Sequence, residues 1–165
     1  MTRTLLSTKH LGVVCAVSGD VPLDPEDWKD FLCDLHRVEG AEIRVVFRCG
    51  EGSPDSHMRR DLFDLTQDRP IHFAIMTASK DAAENWIAAG WMGSVEVRAF
   101  APDRFEAAFD FLDVADAFYP GLERKILSLA DQLHTQVDEG PSGVRAKDEG
   151  KDAHPDAKRL ADDLA

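Results

Sequence analysis

The sequence predicts an α/β fold: a mixed, mostly parallel five-stranded sheet with covering helices, followed by a C-terminal amphipathic helix. Three observations carry this. From residue 11 to about 112 the hydrophobic pattern switches between strand-like and helix-like periods, and such alternation implies parallel strands joined by helical crossovers. Residues 11–17, Leu-Gly-Val-Val-Cys-Ala-Val, are apolar at both alternating sets of positions, as in a strand buried on two faces. Apolar residues make up 44% of a 165-residue chain, which suffices for one core of ordinary size.

Taken in order, residues 3–8 and 11–17 read as two strands joined at Lys9-His10, which makes the sheet mixed if they form a hairpin. Asp24-Pro25-Glu26-Asp27 has the form of a helix start: a capping Asp, Pro at the first helical position and acids in the first turn. Trp28, Phe31, Leu32 and Leu35 follow at helical spacing up to a stop at Gly40. Residues 43–49 form the next strand, and Ser53-Pro54-Asp55 repeats the start signal with Ser53 as the cap. Met58, Leu62 and Leu65 mark the buried face of that second helix. Residues 71–77 are a strand, Ser79 caps a third helix carrying Ala83, Trp86 and Ile87, and Gly90 ends it. Val95, Val97 and Ala99 alternate with Glu96 and Arg98, the pattern of an edge strand with one wet face. Pro102 opens a fourth helix with Phe105, Ala108, Phe109 and Leu112. A fifth, from 121 to 137, carries Leu122, Ile126, Leu129, Leu133 and Val137 in one narrow stripe. That stripe serves either to close a core or to pair two copies as a homodimer.

Composition changes near residue 138. Residues 138–165 hold eight acids and five bases, no aromatic residue, and only Val144, Leu160 and Leu164 as large aliphatics. Such a stretch cannot offset its own ordering entropy, so residues 1–137 are expected to form the domain and 138–165 a disordered acidic tail. The net charge of −12 excludes generic binding to nucleic acid or to anionic membrane surfaces. No apolar run approaches the roughly 20 residues of a membrane span, so no membrane insertion is expected. The opening residues are too broken for a signal-peptide core, and three cysteines, an odd number, suit a reduced cytoplasmic setting.

The order of elements resembles the STAS domain (sulfate transporter and anti-sigma-factor antagonist) in its SpoIIAA-like branch, related in turn to lipid-binding Sec14-type domains. The likeness spans roughly residues 3–114. It is carried by the Val-rich strand with Val21-Pro22-Leu23-Asp24-Pro25-Glu26-Asp27-Trp28, by the strand–glycine loop–helix of 50–62, by 71–79, and by Val95-Glu96-Val97-Arg98-Ala99-Phe100 with its Phe-rich helix. The resemblance implies a non-enzymatic regulatory domain that binds another protein, or, through the Sec14 kinship, a carrier of a small apolar or lipid-like ligand. In anti-sigma antagonists of this family a Ser beside an Asp, at the start of the helix after the third strand, is the phosphorylation switch. Asp55-Ser56 is the nearest match here, but His57-Met58 replace the family's Ser-Gly continuation.

Chemistry-bearing patterns are otherwise sparse. Cys49 stands where a thiolate phosphatase would hold its nucleophile, but the position that should carry the phosphate-binding Arg is Asp55. Gly50-Glu51-Gly52 lacks the further residues of a dinucleotide or triphosphate loop. The six histidines show no metal-ligand spacing, and Asp61/Asp64 and Asp113/Asp116 read as solvated carboxylates. No catalytic residue, metal or cofactor is therefore expected. The candidate site is the set of loops at the carboxyl ends of the parallel strands, which brings together Ser53, Asp55, Ser56, Ser79 and Lys80. Trp91, between Gly90 and Gly93, either joins this surface or caps the core.

Overall fold

In the computed structural model, which describes residues 2–67, 69–89 and 94–148, the chain starts as a hairpin. β1 (Leu5–His10) and β2 (Val13–Ser18) run antiparallel with His10 opposite Val13. That register leaves a two-residue turn, Leu11-Gly12, at φ 53° and 80°. Two positive φ values give the turn whose twist suits a hairpin, so the turn falls here and not at Lys9-His10. Gly12 adopts its φ freely, while Leu11 is held there with its side chain against Gly121; a Cβ at Gly121 would sit 3.1 Å from Leu11 Cδ1.

β3 (Ile43–Arg48), β4 (Ile71–Met76) and β5 (Val95–Phe100) then add in sequence, each parallel to its neighbour, giving the order β1-β2-β3-β4-β5. The fold is thus α/β with a five-stranded mixed sheet, as expected. The order never reverses. Right-handed crossovers that all step the same way place their helices on one face. α1 (Pro25–His36), α2 (Ser56–Leu65) and α3 (Lys80–Ala89) accordingly share one core with the odd-numbered residues of β3 and β4. Its centre is aromatic: Trp28, Phe31, Phe47, Phe73 and Trp86 lie in successive contacts with centroids 4.9–6.4 Å apart.

The opposite face needs cover that the crossovers cannot supply. α4 (Phe105–Phe111) lies on β4, and α5 (Tyr119–Asp148), reached through a 3-10 turn at Asp116–Phe118, lies on β1 and β2. Leu122, Ile126, Leu129 and Leu133 are buried there with Val13, Cys15, Val17, Val46 and Ala74. Leu122, Ile126, Leu129 and Leu133 thus close the chain's own core, while the Val137 side chain lies outside the described residues. The α5 backbone continues to Asp148, into the stretch whose composition suggests a tail; residues 149–165 lie outside the described residues. Among the described residues no helix is long and apolar enough to cross a membrane.

Three local readings need correction. α2 is capped by Asp55, whose Oδ1 accepts from Met58 N–H at 2.9 Å. Ser53 is not the cap: its Oγ accepts from Asn85 Nδ2 at 3.2 Å, and the buried Pro54 stays outside the helix. α4 begins at Phe105 because Pro102 occupies a turn closed by Arg104 N–H on Ala101 O at 3.1 Å, where Pro suits the second position as well as it suits a helix start. Among the described side chains of α3, Ala82 and Trp86 are buried and Ile87 is exposed.

Candidate functional site

The parallel strands β2 to β5 end at one edge of the sheet, and their following loops are tied to one another there. Gly50 N–H donates to Ser18 O and Gly52 N–H to Gly19 O, both at 3.3 Å. Glu51 N–H donates to Asp20 Oδ1 at 3.1 Å. Thr77 Oγ1 donates to Gly50 O at 3.3 Å and accepts from Ser79 N–H at 3.1 Å. Ser79 Oγ donates to Glu51 Oε2 at 2.8 Å and accepts from Ala82 N–H at 3.1 Å, which makes it the cap of α3 as the sequence indicates. The chain of bonds runs from the β2 loop to the start of α3. It requires glycine at Gly50 and Gly52: a Cβ there would stand 2.9 Å from Gly19 O and 2.6 Å from Val21 O.

This tied edge is one wall of a cleft of about 680 Å³. Arg3 and Thr4 at the start of β1, Val17 and Ser18 at the end of β2, and Arg48 at the end of β3 line it together with Pro102 and, from α5, Ala130, Leu133 and His134. The cleft therefore opens on the face that α4 and α5 cover, between α5 and the loop that follows β5.

The charges in the cleft differ in their surroundings. Arg3 is committed to α1: its Nε lies 2.7 Å from Asp27 Oδ1 and its Nη2 3.0 Å from Asp30 Oδ2. Asp27 also accepts from Thr4 Oγ1 at 2.8 Å, so this corner is fixed. Asp20 and Glu51 are exposed at the rim. Arg48 is half-buried, and its Nε donates to Pro102 O at 3.3 Å. Among the described residues no carboxylate forms an ion pair with it. Ser18 Oγ is buried and has no hydrogen-bond partner among the described residues. Burial pushes the Cys49 thiol up to about 11, which suppresses the thiolate that a nucleophile would need.

Of the described site residues read from sequence, only Ser79 lines the cleft. Ser53, Asp55, Ser56 and Lys80 belong to the same edge but to the starts of α2 and α3, which pack on the other face of the sheet. Ser56 and Lys80 are exposed there. Trp91 lies outside the described residues. Sequence reading missed Arg3, Ser18, Arg48, Leu133 and His134. One signal was present: arginine at both ends of an otherwise apolar central strand, residues 43–49, marks where cover on that face stops.

No family model, no curated protein and no solved structure matches this chain. Among the described residues no group of three or more His, Cys, Asp or Glu side chains is arranged to hold a metal ion.

Proposed function

We propose that this chain is a non-catalytic binding domain, of the regulatory kind that the STAS resemblance implies, and that its cleft holds a small, largely apolar ligand. The observation that carries the reading is the cleft itself. About 680 Å³ falls within the size range of small-molecule sites, and Val17, Val21, Pro102, Ala130 and Leu133 offer the cleft apolar wall. The loop-to-loop hydrogen bonds support it further, because a wall ordered in advance lowers the entropy lost on binding. Burial of the Cys49 thiol argues against a cysteine nucleophile at this edge. Native mass spectrometry of the purified chain tests the reading. An apolar adduct that is lost in Ala130→Phe, which fills the cleft from α5, supports it. A bare mass, with no uptake of added medium-chain amphiphiles, overturns it.

A second reading is docking of a protein on the neighbouring starts of α2 and α3. It is favoured by the exposure of Ser56 and Lys80, the opening residues of those helices. A phosphate on Ser56 would meet the positive end of α2, which tolerates it and lets it alter a docking surface. If Ser56→Asp and Lys80→Glu bind an isolated partner protein like the parent chain, this surface is not the docking site.

A further inference from the structure

We propose that the ligand of this cleft is an amphipathic anion, whose carboxylate or phosphate group is held by Arg48 while its apolar body lies along α5. The inference rests on the reading that the cleft binds a ligand and adds the chemical class.

Arg48 is at odds with its position. It ends the central strand of a sheet covered on both faces, on the face where its strand neighbour Val46 is fully buried and its register partner on β2 is the buried Val17. A side chain there normally contributes to the core. A guanidinium in that place stays charged at every accessible pH and carries five N–H donors. One of them is used, by Nε on Pro102 O. The terminal nitrogens form no ion pair among the described residues, although the chain as a whole carries 31 acids to 19 bases.

The other charges in the cleft do not compete for this role. Arg3 is held by Asp27 and Asp30. Asp20 and Glu51 are exposed, where water screens them, and each already accepts a hydrogen bond from the rim. The half-buried cation therefore governs the sheet side of the cleft. A carboxylate or phosphate meets a guanidinium through paired N–H···O bonds. Ser18, the residue after the register partner of Arg48, also lines the cleft. Beyond these groups, Val17, Ala130 and Leu133 form an apolar wall for the rest of the molecule.

The test uses the full chain and three probes of one tail length: decanoate, decanol and decyltrimethylammonium, titrated calorimetrically at pH 7. Decanoate is expected to bind about 10- to 100-fold more tightly than decanol, the range that a hydrogen-bonded charge contributes. Arg48→Gln is expected to abolish that difference by weakening decanoate binding, while Arg48→Lys keeps part of it. Decyl phosphate against decanoate then separates the two acidic groups. Equal affinity for decanoate and decanol, or tighter binding of the ammonium, overturns the assignment to an anion while leaving the ligand-binding reading intact. Failure of all three probes overturns that reading and the inference together. The comparison of probes on the parent chain stands even if Arg48→Gln folds poorly.

Discussion

Replacing Gly50 by alanine tests the tied edge. A Cβ at Gly50 would clash with Asp20 Oδ1 and lie 2.9 Å from Gly19 O and 3.0 Å from Gly19 C. Asp20 could swing away, but only by releasing Glu51 N–H. The Gly19 carbonyl is backbone and already accepts from Gly52 N–H. The new methyl must therefore push two loops apart, an overpacking strain of about 2 kcal/mol. In a domain of this size that lowers the melting temperature by about 4–8 °C. Gly19→Ala is the control: nothing lies within 4 Å of its added Cβ and its φ is not left-handed, so it should be neutral or stabilise by about 0.4–1 kcal/mol. Urea unfolding of both variants supplies the measurement, with an unchanged slope showing that the midpoint alone moved. Equal midpoints for the two variants would refute the close approach of the loops.

Further outcomes follow from other parts of the molecule. Asp55→Ala should cost about 1 kcal/mol in urea unfolding as a lost helix cap, and Ser53→Ala distinctly less, since Ser53 bonds Asn85 instead. With a disulfide-exchanging thiol reagent, Cys33 alone should react in the native chain and all three cysteines in urea; Cys15 and Cys49 are buried, and burial pushes their thiols up to about 12 and about 11. The hydrogen bond from Arg44, helped by His72, holds the Glu42 carboxyl below its ordinary range. Its stabilisation is thus present above that range and lost as pH falls through the lowered value, so Glu42→Gln should flatten the acid side of the stability curve by less than about 1 kcal/mol, the side chain being 39% exposed.

Much of the architecture was legible because each element carries its own period. β2 reads as central from apolar residues at both sets of alternating positions, and β5 reads as an edge from Glu96 and Arg98, which are exposed in the fold. Local start signals were ambiguous wherever two residues could serve. Ser53 and Asp55 both suit a cap, and the choice fell to tertiary contacts: burial of Pro54 and the claim of Asn85 on Ser53. Pro102 suits a turn and a helix start equally, and the 101–104 turn took it. The hairpin turn depended on Gly12, the residue able to take a positive φ freely, rather than on the polar pair before it.

The candidate site was legible as an edge and not as a cavity. The carboxyl ends of the strands follow from the parallel order, and Ser79 follows from its cap signal. The cleft arises where α5, reaching back from the far end of the chain, covers β1 and β2, so that Ala130 and Leu133 face Val17 and Arg48 across it. No local pattern reports a juxtaposition between residues so far apart in sequence.

Mapping amide chemical shifts on the ¹⁵N-labelled parent chain during titration with decanoate tests the central claim, that the cleft is the binding site, most directly. Saturable shifts are expected at Val17–Val21, Arg48–Glu51, Ser79 and Ala130–His134, with little change at the start of α2 around Ser56. Shifts centred on α1 to α3, or no saturable shift at these cleft residues, would contradict it.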